Sequence, residues 1–153
     1  MIIKIATFNL FQFCSPNFSF YTKKEKFQKE DWEEKKIWIK EQIQKMDCDI
    51  VGFQEVFSQE ELKELVLECG FKEFVVSNKP KLDEKNRVFK TTTVALASKF
   101  PIKEIKKVSK NENLTFAREP IKATISLKNN LDINVRCVCH GQRYSPRHRC
   151  RCL

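Results

Sequence analysis

Two polar side chains follow two apolar segments, at the point where each segment ends. Asn9 closes the segment Ile2–Asn9, and Glu55 closes the segment Asp49–Glu55. Because ligands of open α/β sheets lie beyond the carboxyl ends of the strands, we expect this amide and this carboxylate to converge on one cation. Their oxygen atoms suit a hard ion such as Mg²⁺. The pair therefore predicts metal-assisted chemistry, with Glu55 and Asn9 as metal-binding residues.

Both residues also allow a purely structural interpretation. Asn is common at strand ends because its side chain hydrogen-bonds to nearby backbone in turns. A carboxylate in the first turn of a helix, as Glu55 could be, is favoured by the helix dipole. The residue types alone leave these alternatives open.

The segments that position the two residues predict α/β organisation. Residues 24–46 are charged and carry apolar residues at spacings of three, four and seven, which predicts an amphipathic helix with one buried stripe. The stripe consists of Trp32, Ile39, Ile43 and Met46. Ile50–Phe53 has no polar interruption, which is typical of a strand covered on both faces.

A second helix and strand follow. Ser58 with Glu61 predicts a capping box at the start of a helix, and Gly70 predicts its end. Phe71–Ser77 predicts the next strand. Two strand–helix–strand units in succession predict parallel pairing somewhere in the sheet.

The second half of the chain predicts one long loop and further strands. Asn78–Lys90 is polar and predicts an exposed loop, and Lys128–Asn130 predicts a hairpin turn. The predicted strands are Thr92–Ser98, Ile105–Val108, Ile121–Leu127 and Leu131–Val135.

Charge and cysteine content divide the chain near residue 135. Residues 1–135 contain all 22 lysines and all 20 acidic residues and have a net charge of +4, whereas residues 136–153 contain five arginines and no acid. Four of the seven cysteines also lie in this last segment. We interpret residues 1–135 as one domain and residues 136–153 as a Cys/Arg-rich tail that carries more than half of the net charge.

The sequence predicts a cytoplasmic protein. No apolar stretch approaches the roughly 20 residues of a membrane helix, and the N-terminus does not resemble a signal peptide. We therefore expect no membrane span and reduced thiols in residues 1–135. No feature of the sequence indicates a protein partner.

Four short motifs, taken in their order along the chain, resemble the endonuclease/exonuclease/phosphatase superfamily of deoxyribonuclease-like enzymes. They are Ala6–Asn9, Asp49–Glu55, Ala97–Ile102 and Phe116–Pro120. The resemblance extends from residue 2 to about residue 135. It implies an α/β (α+β) fold, namely the N-terminal portion of a four-layer αββα sandwich with a mixed sheet and helices on the outer face.

The resemblance also implies a metal-dependent phosphoester hydrolase. Glu55 would be the principal ligand of Mg²⁺, or of Mn²⁺ in its place, and Asn9 would support the ion directly or through water. Arg118 would bind substrate phosphate, with a surface ion pair as the structural alternative, and His140 would be a strand-end catalytic residue. The implied substrate is a phosphodiester or phosphomonoester, with nucleic acid among the candidates.

Part of the family's catalytic machinery lies further along its fold than this chain extends. The family uses an Asp-x-Asn motif, a metal-binding Asp and a C-terminal Asp-His pair that activates water, whereas residues 136–153 contain no Asp. From residue 136 onward the basic residues are arginines, and no lysine occurs. We interpret the tail as the product of a frameshift or a premature end, and we expect the chain to be inactive alone.

Two other interpretations stay open. The tail could be a non-catalytic zinc or nucleic-acid binding segment, with arginines against phosphates. Its soft metal ligands would be Cys137, Cys139, His140, His148, Cys150 and Cys152. Alternatively, the chain is an unstable pseudogene product, because half a sandwich exposes an apolar sheet face and an unpaired strand edge.

Overall fold

The structure, a computed structural model, describes residues 1–106 and 118–139. Within these ranges the chain forms several β-strands, two α-helices and one 3₁₀ turn. In chain order they are β1 (Ile5–Phe13), β2 (Ser19–Phe20), α1 (Lys29–Met46), β3 (Ile50–Val56), α2 (Gln59–Glu68), β4 (Glu73–Val76), β5 (Leu82–Asp83), β6 (Val88–Phe89), β7 (Thr93–Ser98), β8 (Ile102–Lys106), β9 (Ile121–Ser126), the 3₁₀ turn (Lys128–Asn130) and β10 (Asp132–Cys137). The chain is therefore mixed α/β, as expected.

The largest sheet, the main sheet below, has the strand order β1-β3-β7-β4. β1 and β3 pair in parallel, and α1 makes the crossover that parallel neighbours require. β7 is antiparallel to both β3 and β4, so β4 runs in the same direction as β3 but is separated from it. The predicted parallel pairing is confirmed for β1 and β3, and the sheet is mixed.

Both helices bury their apolar residues in one cluster with the main sheet. α1 contributes Trp32, Ile39 and Ile43 from the predicted stripe, with Met46 partly buried against the cluster. Asp47, which caps α1 directly after Met46, has a left-handed φ of +43°, and Gly70 at φ +89° follows α2. The two helices thus begin and end close to the predicted positions, with the start of α1 five residues later than predicted.

A second cluster joins the main sheet to a sheet with the order β10-β9-β8, the second sheet below. Val94 and Leu96 of β7 belong to this cluster, whereas Ala95 and Ala97 belong to the helix cluster. Successive side chains of a strand point to opposite faces. β7 is therefore covered on both faces, and all six of its residues are buried.

The predicted loop Asn78–Lys90 is wrong in part. β5 and β6 lie within it and form a small sheet with β2, in the order β2-β6-β5. Val88 and Phe89 are buried, and Phe89 packs in an aromatic cluster with Phe20 and Phe57. The pairing of β6 with β2 joins segments far apart in the chain, so local polarity does not reveal it.

Other predicted details change as well. The capping box of α2 does not form, because Ser58 makes no cap hydrogen bond and its Oγ accepts one from the Ser15 N–H at 2.8 Å. β1 begins and ends later than Ile2–Asn9, and β10 continues two residues past the predicted domain boundary, to Cys137. In the described parts of the chain, neither helix is long and apolar enough to cross a membrane.

Candidate functional site

Asn9 and Glu55 lie side by side where the regular pairing of β1 with β3 is interrupted. Glu55 is near the carboxyl end of β3, but Asn9 is in the middle of β1, so the prediction that Asn9 ends its strand is wrong. The parallel register aligns Asn9 with Gln54, the residue before Glu55. Asn9 Nδ2 donates a hydrogen bond of 3.3 Å to Glu55 Oε1. The structure thus brings together the two residues that the sequence predicts as metal-binding.

The backbone around this pair adopts conformations that are rare for residues other than glycine. φ is +48° at Phe11, +62° at Gln12 and +61° at Glu55. Such residues cost about 1–3 kcal/mol each and cluster at functional sites. Phe11 N–H donates to Asn9 Oδ1 at 2.9 Å, and Gln12 N–H donates to Glu55 Oε2 at 3.1 Å. The side chains of the pair therefore hold the strained backbone after Asn9 in place.

Lys35, on α1, contacts the strained backbone beside Asn9 and Glu55. Its Nζ donates a hydrogen bond of 2.9 Å to the carbonyl oxygen of Phe11 and lies 5.0 Å from the ring centre of Phe27. Burial lowers the pKa of Lys35, and the charge of Glu55 opposes that shift. A half-buried ammonium thus faces the electrostatic field of the Glu55 carboxylate.

The oxygen atoms of the site fit a hard divalent cation. Each Glu55 oxygen accepts one hydrogen bond and keeps a further lone pair. Asn9 Oδ1 accepts from Phe11, so Asn9 turns its amide nitrogen toward Glu55 and orients the carboxylate. Mg²⁺ needs only one or two protein carboxylates, because it keeps several waters and binds substrate phosphate. The described ranges contain no group of three or more His, Cys, Asp or Glu residues placed to hold a metal.

A cavity of about 270 Å³ lies beside the site, between β1, β3 and β10. Its lining includes Thr7, Gln54, Arg136 and Cys137. Gln54 Nε2 donates a hydrogen bond of 2.9 Å to Thr7 Oγ1. Gln54 therefore links β3 to the first half of β1 directly before Glu55.

Arg118 is half-buried, and its guanidinium contacts Cys139 and Tyr21. Its Nη1 donates to Cys139 Sγ at 2.9 Å and its Nη2 donates to the Tyr21 hydroxyl at 3.4 Å. Burial works to lower the pKa of Arg118, but Cys139 and Tyr21 outweigh it and the pKa is raised. The Tyr21 ring packs edge-on against Phe57, 5.3 Å between centres, and Phe57 lies two residues after Glu55. Tyr21 and Phe57 thus lie between Arg118 and the strand that carries Glu55.

The tail residues are described only as far as Cys139, and His140 lies outside the described ranges. Cys137 is buried in the second cluster, and burial raises its pKa to about 11. Zinc binds the thiolate form of cysteine. The Cys137 sulfur lies 3.7 Å from the Ala95 carbonyl oxygen, inside this cluster, and the other soft ligands of the tail after Cys139 lie outside the described residues.

Sequence reasoning missed Lys35, Gln12 and Gln54 as parts of this site. Lys35 is one of 22 lysines, and nothing in its neighbours distinguishes it. Gln12 takes part through its backbone N–H, which carries no residue signal. Gln54 adjoins Glu55 and could have been found from its position in the same motif.

Comparison with known protein families, with curated proteins and with solved structures gave no match to this chain.

Proposed function

We propose that this chain carries the metal-binding half of a phosphoester hydrolase site. One observation carries the proposal: the Glu55 carboxylate is held by the Asn9 amide and the Gln12 N–H at the point where the regular parallel pairing of β1 with β3 is interrupted. Phe11, Gln12 and Glu55 itself have left-handed φ, which is strain of the kind stored at functional sites. The order of the motifs and their resemblance to the endonuclease/exonuclease/phosphatase superfamily support the same conclusion.

Each residue of the site has a distinct task in this proposal. Glu55 holds Mg²⁺, or Mn²⁺ in its place, and Asn9 orients Glu55. When bound, the ion would polarise a phosphoryl oxygen and neutralise charge on the leaving oxygen. Lys35 adds positive charge beside the carboxylate, and Arg118 binds a more distant phosphate oxygen of the substrate.

The reaction is attack of water on phosphorus in line with the leaving oxygen. Residues 1–135 supply the metal-binding carboxylate but not the family's C-terminal Asp-His pair that activates the water. Residues 1–135 contain no histidine, so we expect little turnover from these residues by themselves. The substrate is a phosphodiester or phosphomonoester, and the location is the cytoplasm.

The proposed fold is the N-terminal portion of a four-layer αββα sandwich. Two features support it. The helices share one cluster with the main sheet, and the second sheet shares the other. Alternating residues of β7 contribute to the two clusters, as expected for a sheet covered by helices on one face and by a sheet on the other.

Binding of Mn²⁺, measured by electron paramagnetic resonance and competed with Mg²⁺, tests the metal site. We expect Glu55→Gln to abolish measurable binding, because it removes the charged ligand. Asn9→Ala should weaken binding about 10- to 100-fold, the usual cost of losing a residue that orients a ligand. Glu104→Gln, at an exposed position of β8, is the matched control and should bind as the parent does. Equal affinity in Glu55→Gln and the parent would overturn the proposal.

Hydrolysis assays with Mg²⁺, on a simple phosphodiester and on nucleic acid, test the proposed hydrolase site and the expected inactivity of this chain. We expect no turnover above the metal-only background. Robust turnover that Glu55→Gln removes would support the hydrolase site and contradict the inactivity of the isolated chain.

A further inference from the structure

Phe11 is a large aromatic residue that lies next to the site without being buried. It is 63% exposed, two residues after Asn9. Its backbone N–H is bound by Asn9 Oδ1 and its carbonyl oxygen by Lys35 Nζ, each at 2.9 Å. Both hydrogen-bonding groups of this one residue are thus fixed by side chains of the site, and the ring is presented beside Asn9 and Glu55.

Neither the exposure nor the backbone conformation of Phe11 contributes to folding. Left-handed φ is costly for an aromatic residue, and an exposed ring gains little from the hydrophobic effect. Lys35 Nζ lies 5.7 Å from the ring centre, within cation–π distance, and the ring stays largely exposed. An accessible planar ring on a backbone held by two hydrogen bonds is a stacking surface for another planar ring.

We propose that Phe11 stacks on a nucleobase of the substrate, whose phosphate lies at Glu55 and Asn9. The inference rests on the proposed function and narrows its substrate class to nucleotides or single-stranded nucleic acid. Exposed aromatic rings combined with positive charge are how proteins bind single strands without reading their sequence. Phe11 provides the ring and Lys35 provides the charge.

The surroundings of the ring favour a nucleobase over a lipid chain. An acyl chain needs a continuous apolar surface, whereas Phe11 is flanked by the amides of Asn9 and Gln12 and by the Lys35 ammonium. A nucleobase has apolar faces and polar edges, so it can stack on the ring while its edges stay hydrated. The net charge of +4 in residues 1–135 also suits a polyanion.

Fluorescence anisotropy with two labelled strands tests the inference on the full chain. One strand is a short single-stranded oligothymidylate, and the other is an abasic strand with the same number of phosphates. Phosphate contacts, including those of the arginines in residues 136–153, are common to both strands. We expect the base-bearing strand to bind about 5- to 100-fold more tightly, the usual contribution of stacking one base.

Variants assign this ratio to Phe11. Phe11→Ala should reduce the ratio to near one and leave abasic-strand binding unchanged, whereas Phe11→Trp should keep or increase it. Trp38→Ala, which removes another exposed aromatic ring, is the matched control and should keep the ratio. A ratio near one in the parent, or a ratio unaffected by Phe11→Ala, would overturn the inference. Phe11-dependent binding to phosphatidylglycerol vesicles without preference for the base-bearing strand would overturn it in favour of a lipid.

The result is separable from the proposed function, because both strands are compared with Mg²⁺ and with EDTA. Glu55-dependent metal binding without preference for bases would overturn only the stacking surface. A Phe11-dependent preference without metal binding would overturn only the hydrolase site.

Discussion

β1 and β7 are the two neighbours of β3 in the main sheet, and they differ in how they are covered. All six residues of β7 are buried, whereas β1 is exposed at alternate positions. Ile5, Thr7, Asn9 and Phe11 are all exposed on β1. Asn9 and Phe11 of the candidate site therefore lie on the less covered strand, whereas Glu55 lies on β3, between β1 and the buried β7.

The second sheet stops short of β1. Cys137 of β10, an outer strand of that sheet, lies against Gly52 of β3. Beyond this contact the cavity opens toward Ile5 and Thr7. Because β1 pairs only with β3 among the described residues, it presents both an open face and an open edge. An open edge is a liability in an isolated domain, and it is also where access to a site is easiest.

Truncating one apolar side chain on β7 and one on β1 should give the largest difference in the free energy of unfolding. Leu96→Ala in β7 creates a cavity at a residue only 1% exposed, and we expect a loss of about 2–5 kcal/mol in the free energy of unfolding. Ile5→Ala in β1 changes a residue 57% exposed and should cost less than about 0.5 kcal/mol. Urea denaturation of both variants measures the difference. Similar losses at the two positions would show that β1 is covered in solution.

Substitution of Gly52 tests the contact between β3 and Cys137 of β10. A Cβ at this position would lie 2.7 Å from Cys137 Sγ, so Gly52→Ala should cost about 1–3 kcal/mol through overpacking. In a Cys137→Ala background the same change should cost less, because the clashing sulfur is gone. Thermal unfolding of the four proteins gives the coupling. Additive effects would mean that β10 does not pack on β3.

Alkaline pH should reveal the burial of Cys137 through a smaller effect. Burial raises its pKa from 9.0 to about 11, against the opposing hydrogen bond from Gln54. The unfolded chain loses this proton first, so the stabilisation is complete below about pH 9 and is lost as pH rises to about 11. The slope is at most about 1.4 kcal/mol per pH unit, and Cys137→Ala should remove it. Identical pH profiles for the parent and the variant would contradict the buried thiol.

Much of the fold could be predicted from local pattern. The stripe of Trp32, Ile39 and Ile43 predicted α1, and the uninterrupted apolar run from Ile50 predicted a strand buried on both faces. These signals are reliable because burial of one stripe or of both faces leaves a direct trace in residue order. Gly70 predicted the end of α2 because it has the left-handed φ that glycine adopts most easily.

The incorrect predictions share a different cause, namely contacts between segments that are far apart in the chain. β5 and β6 were not predicted because a two-residue strand depends on its distant partner rather than on its own sequence. The capping box failed because Ser58 Oγ bonds to Ser15, which is 43 positions away in the chain. Long-range contacts thus override local propensity wherever a segment is too short to set its own structure.

The candidate site likewise has features that local sequence predicts and features that depend on long-range contacts. The sequence alone predicted Asn9 and Glu55 as a site pair, because amide and carboxylate oxygens at the ends of apolar segments suit a hard cation. Only the tertiary structure decided that Asn9 orients Glu55, that Lys35 arrives from α1, and that Phe11 stands exposed beside them. Residue types and strand ends are local properties, whereas hydrogen-bond partners and exposure depend on which distant elements pack together.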